Sequence, residues 1–166
     1  MKTETNKAAK LLAGMIMAGV CCASGAEPAV LTGGWSADFS RPMMESAVKS
    51  TTVFQFEGSY KLVLQNKEAT YLLVSCVGME AATKISDKET LTKGSGRCEL
   101  ADQQGEKLLA RMDTAFDGFT LTIDGGTGKW AKARGSIVSK ETFTLESEKL
   151  LRGFSDAKGD LQLNNP

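Results

Sequence analysis

Asp124-Gly125-Gly126-Thr127-Gly128-Lys129-Trp130-Ala131-Lys132-Ala133-Arg134-Gly135 lies between two strand-like segments. Before it, Phe119-Thr120-Leu121-Thr122-Ile123 alternates apolar and polar residues strictly, the pattern of a half-buried strand. After it, Gly135-Ser136-Ile137-Val138-Ser139 follows at once. A phosphate-binding P-loop would need Ser or Thr after Gly128-Lys129 and a Gly five positions before Gly128, and neither is present. Gly126-x-Gly128-x-x-Ala131 matches the loose dinucleotide pattern, but such a site needs a helix directly after the glycines to hold the pyrophosphate. No helix fits before Gly135. The stretch therefore reads as a folding device in which Gly125 and Gly126 turn the chain and Gly128 lets it bend. Trp130 then covers one end of the fold.

Working outward, strand signals recur at short spacing. They are Val53–Glu57, Tyr60–Leu64 after a Gly58-Ser59 turn, Thr70–Gly78, Arg97–Leu100, Lys107–Asp113 and Phe119–Ile123. Gly135–Ser139, Thr142–Leu145 and Asp160–Leu163 complete the series. The apolar run from Thr70 to Gly78 reads as a central strand buried on both faces. Met79 to Thr92 reads as a long loop or one short helix. In Lys107–Asp113, alternation puts Leu108, Ala110 and Met112 on the core side and Arg111 and Asp113 outside. About eight short strands with frequent turns, and no long amphipathic helices between them, predict an all-β fold, an antiparallel closed β-barrel.

The domain boundaries follow from composition. Lys2, Lys7 and Lys10 precede an uncharged run from Leu11 to Val20, then small residues through Ala26. That is the pattern of a secretory signal peptide over residues 1–26, too short in its apolar part to span a bilayer. Lipidation at Cys21 is the rival reading; Val20 stands where such signals generally want Gly or Ala. Residues 27–49 show no clear pattern and are assigned as an irregular N-terminal segment. Residues 50–166 form the single barrel domain. The expected location is periplasmic or secreted.

The 20 acidic and 20 basic side chains balance, which leaves no electrostatic footprint for nucleic acid or an anionic membrane. Removing the signal leaves Cys76 and Cys98, 22 positions apart. In an exported domain such a pair is expected as a disulfide, worth about 3 kcal/mol on the chain-entropy model.

The chain contains no histidine. Ser-His-Asp and Cys-His catalysis and His-containing zinc sites are therefore excluded. Asp113, Asp117 and Asp124 lack calcium-loop spacing and read as turn residues. No metal or other cofactor is expected. Glu57, Tyr60 and Tyr71 lie near or within apolar strands and are the candidate inward polar groups. A buried Glu among them would have a raised pKa and could act as a general acid.

Gly125-Gly126-Thr127-Gly128-Lys129-Trp130-Ala131-x-Ala133-x-Gly135 resembles the glycine-rich signature of the allene oxide cyclase-like, or dirigent-like, β-barrel families. Members typically show a Gly-Thr-Gly-aromatic-x-Gly-x-x-Gly run there. Ser75-Cys76-Val77-Gly78, Gly94-Ser95-Gly96-Arg97-Cys98 and Asp102-Gln103-Gln104-Gly105 are similar to small exported bacterial members of that group. The resemblance spans roughly Ser75 to Ile137, and Lys132 departs from it where many members have Gly. It implies a barrel of about eight strands around an apolar cavity that holds a hydrophobic small molecule. The alternative it implies is a cofactor-independent cyclase, isomerase or lyase acting on a reactive apolar substrate. Members are often oligomeric, which leaves a homo-oligomer open. No catalytic motif of the plant members has a match here to carry over.

Overall fold

The computed structural model describes residues 25–163 apart from 66, 116 and 148; the side chains of 143, 145 and 146 also fall outside the description. The signal-peptide expectation, including Cys21, lies outside the described residues up to residue 24. Eight antiparallel strands run in sequence order around a closed barrel: β1 (Glu27–Glu45), β2 (Lys49–Leu64), β3 (Thr70–Ser86), β4 (Glu89–Asp102), β5 (Lys107–Ala115), β6 (Gly118–Gly126), β7 (Arg134–Ser147) and β8 (Leu150–Gln162). Closure comes from β1 pairing with β8 from Glu27↔Leu161 to Asp38↔Leu150. Every strand therefore has a neighbour on both sides, although β4 before Lys93 and β7 after Lys140 run past their shorter partners β5 and β6.

The fold class is as the sequence predicts, but several segments are corrected. The barrel begins at Glu27, because the residues expected to be irregular form β1 and are needed to close the wall. Gly58-Ser59 is no turn: both continue β2. A Cβ at Gly58 would stand 2.5 Å from Cε2 of Tyr60 and 3.2 Å from Cβ of Trp35, so this glycine makes room for rings. Met79 to Thr92 is the far half of a β3–β4 hairpin, paired from Met79↔Ser95 to Ser86↔Glu89. The apolar run in β3 is buried on one face only. Leu72, Val74 and Cys76 point inward, whereas Leu73 is 68% and Val77 59% exposed. A barrel of this kind is a single layer whose outer face meets solvent.

The core follows from alternation. Leu108, Ala110 and Met112 of β5 are buried, as are Leu121 and Ile123 of β6. Cys76 and Cys98, directly opposite each other in β3 and β4, form the expected disulfide inside the barrel.

The glycine stretch closes one end. Gly125 (φ +120°) and Gly128 (φ +53°) occupy conformations that favour glycine, and a single 3-10 turn (Gly128–Trp130) leads into β7. That turn drives Trp130 into the barrel, where it is fully buried. Its indole N–H donates to Asp102 Oδ2 at 3.0 Å, and Lys129 Nζ contacts the same oxygen at 2.6 Å. The backbone N–H groups of Gln104 and Glu106 donate to Asp102 Oδ1, each at 2.9 Å. Burial alone would raise the Asp102 carboxyl, but these charged and polar donors outweigh it and hold the group below its ordinary range.

Candidate functional site: the open end of the barrel

The opposite end is not plugged. A cavity of about 220 Å³ opens there, smaller than the ~300–1,000 Å³ of drug-sized sites and suited to a small ligand. Its wall is aromatic: Trp35 stacks on Phe56 with centroids 5.3 Å apart, and Phe56 meets Phe119 edge-on at 5.9 Å. Phe39 lies 5.9 Å from Phe54. Two carboxylates, Glu80 of β3 and Glu141 of β7, complete the lining with Thr92 and Thr114.

Glu141 reaches the lumen because β7 alternates. Ile137, Ser139 and Glu141 share one face, and Val138 and Lys140 take the other. Its cross-strand partner on β8 is Ser155, which donates at 2.8 Å to Oε1 or 2.9 Å to Oε2. Ser139 Oγ donates to Oε1 at 2.5 Å, and the Trp35 indole N–H donates to Oε2.

Trp35 can do this only by lying across β8. Its register partner there is Gly153, where a Cβ would sit 2.5 Å from Cζ2 of the indole. Tyr60 uses the same device one strand over. Gly33 of β1 lies between Tyr60 of β2 and Ser155 of β8. With no side chain at Gly33, the Tyr60 hydroxyl passes over β1 to within 2.9 Å of Ser155 Oγ.

The direction of these bonds follows from counting protons. A serine hydroxyl has one proton to give. When Ser155 donates to an ionised Glu141, Tyr60 must donate to Ser155. The result is a buried relay, Tyr60 to Ser155 to Glu141. Burial is the largest influence on Glu141 and raises its carboxyl above the ordinary range; hydrogen bonds from Ser139, Ser155 and Trp35 oppose this without cancelling it. Glu80 is also raised by burial, opposed by a long hydrogen bond from Thr114 at 3.4 Å. Burial pushes the Tyr60 phenol up as well; the Ser155 hydrogen bond opposes that and the nearby Glu141 charge adds to it.

Of the three residues singled out from sequence, the fold brings only Tyr60 into this network. Glu57 is exposed on the outer face of β2, and Tyr71 is exposed on the outer face of β3. Both stand one position out of phase with the inward residues, which contradicts the inward placement expected of them. Glu141, Ser139, Ser155, Trp35 and Glu80 were not among the candidates. The parity argument used for β5, extended through β7, places Ser139 and Glu141 on the face of Ile137.

No family model matches the sequence, and no curated protein matches it. Among solved structures, the chain is similar to the pterocarpan synthase dirigent protein GePTS1. The two share 13% identity over 85% of this chain and 93% of that one, with a TM-score of 0.47. The barrel described above rests on its own strand pairing, and the site on its own side chains.

Proposed function

We propose that the protein is exported and holds a small, largely apolar molecule in the open end of its barrel. The observation that carries this reading is the aromatic-walled cavity with a hydrogen-bonded Glu141 set into its side. Apolar walls with a few converging polar groups are the usual build of a small-molecule site. Export is supported by the basic and then apolar start of the sequence and by the Cys76–Cys98 disulfide, which persists in oxidising compartments.

The reading is tested by native mass spectrometry of the purified protein, together with titration of a neutral fluorescent apolar probe. Saturable binding that Ala115→Trp blocks at the rim is the expected result. The absence of both a retained compound and probe binding counts against it.

A second reading, a cofactor-independent isomerase, cyclase or lyase, is favoured by one observation. Burial raises the Glu141 pKa and a hydroxyl relay stands behind it, an arrangement suited to a general acid. Tyr60 belongs to that relay as a positioning residue. On this reading Glu141→Gln lowers turnover of a reactive apolar substrate by about 10²–10⁴-fold. Equal turnover in the variant removes the reading.

A further inference from the structure

The chemistry of the cavity wall says more about a ligand than that it is apolar. Five aromatic rings face the cavity, those of Trp35, Phe39, Phe54, Phe56 and Phe119. Aromatic faces carry negative potential and attract cations, most effectively where water is excluded. The wall also holds two carboxylates, and among the described residues that line it there is no lysine or arginine. Lys149 shares an outer groove with Glu80 but takes no part in the cavity wall.

Rings and carboxylates act in the same direction. An anion entering the cavity meets Glu80 and Glu141 with no basic side chain in the wall to balance them. A neutral apolar ligand fits the rings but leaves both carboxyl groups against a dry surface, where an ionised carboxylate is disfavoured. A cation with an apolar shell satisfies both. Its methyl or methylene groups pack on the rings, and its charge offsets the carboxylates at short range in a low dielectric.

The two carboxylates are not equivalent. Glu141 accepts from two hydroxyls and an indole and is held in place. Among the described residues Glu80 takes one side-chain hydrogen bond, at 3.4 Å from Thr114, so more of its acceptor capacity is left for a ligand.

Building on the small-molecule reading above, we propose that the open end of the barrel is a site for a small organic ammonium ion, with the rings as its cage and Glu80 and Glu141 as its counter-charges. The recognised class is a quaternary or protonated amine on a compact apolar body.

Isothermal titration with two probes of the same shape tests this: choline, and its uncharged carbon isostere 3,3-dimethylbutan-1-ol. Choline is expected to bind at least about tenfold more tightly, the scale of a desolvated cation–aromatic contact. In Glu80→Gln the preference is expected to shrink severalfold, and in the Glu80→Gln, Glu141→Gln double variant to vanish. Binding of the isostere by each variant shows that the cavity is still formed. Phe119→Leu keeps the wall apolar but removes one ring face, and should weaken choline more than the isostere.

If the isostere binds as tightly as choline, the ammonium proposal is overturned and the small-molecule reading stands. A preference that survives intact in the double variant overturns the proposal too. If neither probe binds and the neutral fluorescent probe also fails, both readings fall together.

Discussion

Trp130 and Trp35 sit at opposite ends of the barrel, and each donates its indole N–H to an inward carboxylate, Asp102 in one case and Glu141 in the other. The surroundings of the two pairs differ. Asp102 also has a lysine ammonium and two backbone amides, and is held below its ordinary pKa. Glu141 has two hydroxyls, and burial raises it. The first arrangement keeps a charge permanently balanced and seals the end. The second keeps a carboxyl that changes state with its surroundings beside an open cavity. An indole–carboxylate hydrogen bond does not by itself make a plug or a site; the remaining donors decide which it is.

The largest expected effect comes from removing the plug. Trp130→Ala strips a fully buried ring from a packed end and leaves Asp102 short of a donor, and should cost about 3–5 kcal/mol in urea denaturation. Trp35→Ala should cost less, because that ring already borders empty space and loses fewer contacts. It should abolish probe binding, however. Equal losses of stability would break the comparison.

The next effect is on pH dependence, where the two carboxylates have opposite signs. Asp102 has a folded pKa below its ordinary 3.8, so its stabilisation is present above that pH and is lost as pH falls through the folded value. Glu141 has a folded pKa above 4.5, so its contribution is complete below that pH and lost as pH rises through the folded value. Asp102→Asn should therefore lower stability at neutral pH by about 1–3 kcal/mol and flatten the acid limb of the profile. Glu141→Gln should flatten the limb above pH 4.5, leaving the part contributed by Glu80, which has the same sign. Thermal melts from about pH 2 to about pH 8 would show both slopes.

A smaller effect is expected from Tyr60→Phe. It removes one hydroxyl from the relay, and the loss should be about 1 kcal/mol with Glu141 still held by Ser155, Ser139 and Trp35. Smallest of all, Glu57→Gln and Tyr71→Phe lie on the outer wall and should change stability by no more than about 0.5 kcal/mol, with cavity binding intact. Loss of binding in either would mean that the outer face communicates with the lumen.

Much of the fold was legible because β5 and β6 alternate cleanly and the Gly125–Trp130 run could only be a turn. What was not legible has a physical cause. The inward positions of β8 include Gly153, Ser155, Ala157 and Gly159, all small because side chains and backbone from neighbouring strands fill the space in front of them. Small residues give no hydrophobic period, so most of the strand was invisible. In β1, Gly33 and Gly34 carry no side chain to mark an alternation, yet Gly33 is what lets Tyr60 pass. The far half of the β3–β4 hairpin has no deeply buried face and therefore no alternation to read. The candidate site inherits these gaps, since Ser155 and Trp35 lie on the strands that were missed.

The Cys76–Cys98 bond has a consequence beyond loop entropy. It is a covalent rung between β3 and β4, in line with Glu80 farther along one strand and with Asp102 farther along the other. A slip of one residue in this pairing would turn every side chain of the slipped strand to the opposite face. The cystine forbids that slip, and so acts as a register clamp for two carboxylates at opposite ends of the barrel. Reduction should therefore loosen not only the stability of the fold but also the certainty with which Glu80 faces the cavity and Asp102 faces the plug.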